Sequence, residues 1–280
     1  MTPEAVIRLD NDGLNMAADE NRLYVRCMRG MHSYDMATLS QAAHAVLFKK
    51  DGKARGFSLC GAFVYLTDFC DLYLLTKCDF QVVGVYHIGK DLSSDLGAVR
   101  FAASTAYIGV RNGRMAVFCA QTQAIKRYDV ADAGFWDFCV VDNHIYAGTV
   151  QGELLKIDTE KMQVLQRVSL GKKNLYSVVR YGDFLYTVSQ DMSIKAICME
   201  TLAVAHQAKN AVKGMARILG FHGDSLIVAD ANKVSFWHAG SLRHQDTAAF
   251  PTGSYNKGIV LVGDTLFGSD SRHIYRMTLA

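Results

Sequence analysis

The sequence predicts an all-β fold, a seven-bladed β-propeller of four-stranded antiparallel blades, built by one domain over residues 1–280. Three observations predict it. One phrase of turn, strand, turn and strand returns about every forty residues, the period of a propeller blade. An aromatic side chain recurs at one register of that phrase. The chain also opens on a strand with no unit of its own, while its last unit stops one strand short.

The phrase is plainest from Asp142 to Thr159. There a turn leads into a strand ending at Val150, Gln151-Gly152 reverses the chain, and a second strand closes at Asp158. It returns from Gly182 to Ile197 and again from Gly223 to Trp237. Aligned on the second strand of each unit, Tyr24, Tyr65, Tyr107, Tyr146, Tyr186, Ile227 and Phe267 share a register at steps of 41, 42, 39, 40, 41 and 40 residues.

Just before the innermost strand of each unit stands Gly13, Gly56, Gly97, Gly134, Asn174, Gly214 or Gly258. Glycine, and asparagine after it, tolerates positive φ, as a tight entry into a strand often requires. The segments between these markers are short, rich in Val, Ile, Tyr and Phe, and end in turn residues, the composition of strands. Both prolines, Pro3 and Pro251, stand outside the strand runs, as a ladder that needs every N–H requires.

The ends complete the pattern. The last unit stops at 274–279, its third strand, and the chain begins with Val6-Ile7-Arg8-Leu9. A strand over residues 5–10 is therefore expected to pair beside 274–279 as the outer strand of the last blade. That pairing closes the ring and removes the open sheet edges at the seam.

The segment from Ser193 to Leu202 resembles the end of the third strand of a WD40 repeat, where that family favours Trp-Asp followed by a turn and Leu. Val234 to Leu242 and Ser33 to Leu39 are similar. The likeness runs through the whole chain as a repeat. No unit carries the family's Gly-His dipeptide, and none has Trp-Asp in the expected place, so the chain resembles a divergent WD40-like seven-bladed propeller. The buried Asp–His–Ser–Trp network of conforming repeats is not expected. Kinship at this level implies a ring, and leaves activity to be argued from a site.

Composition excludes several classes. With 50% hydrophobic and 20% charged residues the chain is globular rather than disordered. A net charge of +3 does not argue for nucleic acid, and the aromatic residues fall in strand registers, where packing explains them. Seven cysteines, with no Cys-x-x-Cys spacing, sit mostly in strand-like runs. They point to small buried hydrophobes in a reducing compartment, so a cytoplasmic location is expected. The first residues carry no basic, apolar leader pattern, and no apolar run reaches the length of a membrane span.

The nine histidines form no His-Glu-x-x-His motif and no zinc spacing with cysteine, so strand-end and turn roles are expected and no metal. There is no Walker loop, dinucleotide fingerprint or Gly-x-Ser-x-Gly elbow, and no cofactor is expected. Candidate site residues come instead from the ring. Three residues after each marker stand Met16, Leu59, Arg100, Asp137, Ser177, Arg217 and Leu261, expected at similar depth in the bore. Four consecutive blades are polar there, with Trp136 and Tyr176 one position earlier. Two readings follow for Arg100, Trp136, Asp137, Tyr176, Ser177 and Arg217. One is an ion-pair network that neutralises buried charge; the other is a small polar pocket for an anionic or peptide ligand.

Loop charges add a second indication. The outer-to-inner loops carry Lys49, Lys50, Lys53, Arg55, Lys90, Lys172, Lys173, Lys209, Lys213 and Lys257, diluted by Asp51, Asp91, Asp95, Asp129 and Asp132. The opposite side collects Asp142, Asp183, Asp224 and Asp264 among its acids. The first functional expectation is a non-enzymatic scaffold that holds a partner protein or peptide, acidic in character, at the glycine-marked face. The alternative is a propeller enzyme of the lactonase or lyase kind acting on a small anion around Arg100, Asp137 and Arg217. Such a site wants several Glu, Asn and Asp at inner-strand ends. Here Asp137 fits, with Asn15 one position out of register.

Overall fold

A computed structural model describes residues 2–9, 13–27, 29–47, 56–67, 70–89, 99–230, 233–251, 258–270 and 272–279. They form seven antiparallel sheets of four strands each. The innermost strands of blades 1 to 7 are Gly13–Ala18, Gly56–Cys60, Val99–Ala102, Phe135–Val141, Leu175–Tyr181, Arg217–His222 and Ile259–Val262. Each touches the innermost strand of the blade on either side, and blade 7 returns to blade 1, so the sheets stand around a central bore.

Two packed faces explain the residue pattern. A second strand such as Phe184–Ser189 is buried at every residue from Leu185 to Ser189, because each face of its sheet meets a neighbouring blade. An outermost strand such as Val164–Ser169 alternates between partly buried and exposed positions. The core is accordingly divided into seven clusters, one per gap between blades. Between blades 5 and 6, Val188, Ile194 and Ala196 meet Ile218, Leu226, Val228 and Trp237.

The third strand ends in a recurring turn. The N–H groups of Leu39, Phe80, Leu202 and Leu242 donate to the carbonyl four residues back at 2.8, 3.1, 2.9 and 2.8 Å. All four residues take positive φ, at 58°, 59°, 55° and 53°. A bulky side chain there costs on the order of 1–2 kcal/mol. Burial of Phe80, Leu202 and Leu242 in the inter-blade clusters offsets it, at about 1.5–3 kcal/mol each. This is the turn and Leu that the WD40-like endings led one to expect.

The seam closes as the ends of the chain suggested. Glu4–Arg8 pairs antiparallel with His273–Thr278 as the fourth strand of blade 7. Past the strand, Leu9 N–H donates to the Arg272 carbonyl at 2.7 Å, while residue 10 lies outside the described residues.

The marker residues enter their strands in more than one way. Among Gly134, Asn174, Gly214 and Gly258, only Gly214 has a left-handed φ, at +65°. Gly258 is required by close approach instead, since a Cβ there would lie 2.1 Å from Ser269 Oγ. Gly97 lies outside the described residues.

Candidate functional site at the mouth of the bore

The outer-to-inner loops feed the innermost strands, so the first residues of those strands gather at one mouth of the bore. Pairing with the second strands sets their depth. Asp137, Ser177 and Arg217 oppose Gly148, Val188 and Ala229, each two residues past the aligned Tyr146, Tyr186 and Ile227. These three are equivalent. Arg100 opposes Tyr107 itself and lies deeper, and Met16, Leu59 and Leu261 are also out of step. Asn15, opposite Arg26 and two past Tyr24, is the residue of blade 1 in step with Asp137, and it is buried. Counting from the glycines misplaced it because Gly13, opposite Cys27, is in step with Phe135, opposite Thr149, one residue past the marker Gly134. The same one-residue bulge follows in blades 1, 4 and 5, between Gly13 and Asn15, Phe135 and Asp137, and Leu175 and Ser177.

Arg100, Asp137 and Ser177 are brought together despite the offset. Arg100 Nη2 donates to Asp137 Oδ1 at 2.5 Å, while the other oxygen, Oδ2, accepts from Val178 N–H at 3.2 Å and Ser177 Oγ at 3.4 Å. Asp137 thus ties blade 3 to blade 5 across blade 4. Its side chain is 5% exposed and that of Arg100 is 27% exposed. Burial pushes the Asp137 carboxyl above the ordinary carboxylate range, and the charges of Arg100 and Arg217 and the Val178 N–H oppose that rise. Two residues on, burial and then the Asp137 charge raise the Cys139 thiol to about 12, which leaves it unreactive at neutral pH.

Arg217 is placed differently. It is partly buried, and among the described residues its guanidinium has no hydrogen-bond or ion-pair partner. Burial and then repulsion from Arg100 lower its pKa, with Asp137 acting in the other direction. Trp136 and Tyr176 pack edge to face with ring centroids 5.1 Å apart. The Trp136 Nε1 is buried and has no acceptor among the described residues.

Around this mouth Lys172, Lys173, Lys209 and Lys213 are exposed, while Lys49, Lys50, Lys53, Arg55, Lys90 and Lys257 lie outside the described residues. Asp142, Asp183 and Asp224 are exposed on the inner-to-second-strand turns of the other side. His87, His144, His222, His238, His244 and His273 sit at strand ends, while His32, His44 and His206 lie within strands. His87 reaches Asp71 and His222 reaches Asp264, both at 2.9 Å. Among the described residues no group of three or more His, Cys, Asp or Glu could hold a metal ion, and no helix is long and apolar enough to cross a membrane. None of the seven cysteines is in a disulfide.

Sequence reasoning missed a cavity of about 410 Å³ between blades 2 and 3, lined by His87, Ile88, Gly89, Val110, Arg114 and Arg127 among others. Arg127 spends its donors on the Ile88 and His87 carbonyls at 2.6 and 2.7 Å, which fastens blade 3 to blade 2.

No protein-family model matches the chain, and no curated protein sequence matches it. Solved structures do. A chain of the Mitotic Checkpoint Complex superposes with a TM-score of 0.82 at 11% identity, covering 98% of this chain and 92% of that one. The Pan2 WD40 domain of Neurospora crassa gives 0.75 at 12% identity, covering 95% and 89%. The computationally designed Ika8 protein gives 0.72 at 10% identity, covering 98% of both chains. At such low identity the likeness shows architecture alone, and with the seven closed sheets it establishes the fold of this chain as a WD40-like seven-bladed β-propeller.

Proposed function

We propose that the protein is a non-enzymatic interaction scaffold, working in a reducing compartment such as the cytoplasm, that holds a segment of a partner protein at the mouth of its bore. The observation that carries this reading is the pairing of Trp136 with Tyr176 at the mouth where the strand of Arg217, whose donors are unspent, also begins. Aromatic and arginine side chains are the residue types that dominate binding energy at interfaces. Exposed Lys172, Lys173, Lys209 and Lys213 around the same mouth favour a partner of acidic character by steering its approach. One structural neighbour belongs to a multi-protein assembly, the Mitotic Checkpoint Complex, which accords with such a role.

The competing reading, an enzyme acting on a small anion, needs Asp137 as a free base. Both of its oxygens are engaged, one by Arg100 and the other by Ser177 and Val178. Asp137 therefore serves the mouth as a strut.

The test is recovery of partners from native lysate on the immobilised protein. A Trp136→Ala/Arg217→Gln variant is expected to lose a partner that an Asp183→Asn/Asp224→Asn variant of the other face retains. Equal recovery by both variants would sink the docking reading.

A further inference from the structure

We infer that Arg217 is the receptor for a single carboxylate, seated at the mouth of the bore beside the Trp136 indole. The inference starts from an imbalance. Asp137, the carboxylate whose charge acts on Arg217, already gives one oxygen to Arg100 and the other to Ser177 and Val178. Arg217 is left partly buried with no acceptor among the described residues. Its nitrogens reach solvent, so they are open to a ligand. A second unspent donor, Trp136 Nε1, lies at the same mouth and is buried, which is rare for a polar group without a partner. Two unspent donors of different type, on strands of blades 4 and 6, are groups that an oxyanion accepts from.

The charge selects the oxyanion. A phosphate group carries about −1.5 to −2 at neutral pH and wants more than one free cation. Arg100, whose charge also acts on Arg217, is held by Asp137, and Lys172, Lys173, Lys209 and Lys213 stand exposed on the loops, so Arg217 is the arginine of the four-blade set left to meet an anion. A carboxylate matches the planar fork of one guanidinium and neutralises it. The carboxylate could be an acidic side chain of the docked segment or a free small acid. The first source deepens the docking reading and rests on it; the second does not.

The chain holds two tryptophans, Trp136 and Trp237, so indole N–H resonances report the site with an internal control. Three probes are titrated in turn: acetate, an acetylated and amidated Glu-containing peptide with its Gln counterpart, and inorganic phosphate. The Trp136 signal is expected to move with acetate and with the Glu peptide, while the Trp237 signal stays. Replacing Glu by Gln, or Arg217 by Gln, is expected to weaken binding by about tenfold or more. Tighter binding by the Glu peptide than by acetate assigns the source to a docked segment; the reverse assigns it to a free acid.

Arg217→Met separates a receptor from a structural arginine. An arginine without partners can be lost with no fall in melting temperature, so a clear fall overturns the assignment. So does phosphate binding tighter than any carboxylate, or a Trp136 signal indifferent to all three probes. Partner recovery that depends on Trp136 but not on Arg217 would leave docking standing and remove the carboxylate.

Discussion

The Nη2 of Arg100 and the Oδ1 of Asp137 lie 2.5 Å apart, one on the innermost strand of blade 3 and the other on that of blade 4. Removing one partner of a buried pair leaves an uncompensated charge, which costs about 3–5 kcal/mol. Arg100 is 27% exposed, so water screens it in part and the lower end applies. Asp137→Ala is expected to lower stability by about 3 kcal/mol in urea unfolding. The double variant Arg100→Met/Asp137→Leu is expected to lose less than that single change. A midpoint unmoved by Asp137→Ala would show the pair to be inert.

Glycines of two kinds are expected to respond differently to alanine. At Gly268 a Cβ would lie 2.1 Å from Phe250 Cε1, a ring buried in the gap between blades 6 and 7. Gly268→Ala overpacks that gap and is expected to cost about 1–3 kcal/mol or more. Gly182, with φ of +58°, has nothing within 4 Å of the added atom. Its alanine variant pays only backbone strain, about 1 kcal/mol. Paired thermal melts check the order, and a larger loss at Gly182 would contradict the packing described.

Acid is expected to weaken blade 5 through Asp191. Burial alone would raise its carboxyl, but hydrogen bonds from Ser189 and Ser193 and the Lys195 ammonium outweigh burial and hold it at about 2, against an ordinary 3.8. A depressed carboxyl contributes stability that is fully present above the unfolded value and lost as pH falls through the folded one. The loss therefore falls between 3.8 and about 2. Asp191→Asn is expected to flatten stability against pH in that window. An acid limb identical to that of the unmodified protein would refute the assignment.

Deleting the strand Glu4–Arg8 is expected to unzip the ring. It would leave His273–Thr278 as a bare edge and uncover Ile274, which the cluster between blades 7 and 1 buries. Exposed edges pair with other chains. A lower melting temperature with larger species in light scattering is the expected outcome, whereas an unchanged monomer would remove the seam from the stability of the ring.

Much of this was readable in sequence because it depends on spacing. The aligned residues from Tyr24 to Phe267 all fall on second strands, and Leu202 and Leu242, after third strands, mark a turn that buries them. The site was readable only in part. Arg100, Asp137 and Ser177 do meet, but Asn15 was set one position off and Val178 N–H could not be suspected.

By itself the amino-acid order determined the number of blades, the strand composition and the closing of the ring, since a blade's two buried faces impose a repeat that each unit must carry in its own residues. The tertiary structure alone decided depth within the bore and which donors stay unspent. Bulges shift register without changing composition, and the partners of Asp137 come from the blades on either side of its own. Residues 37 and 41 positions from it in the chain hold it because the ring sets their strands side by side.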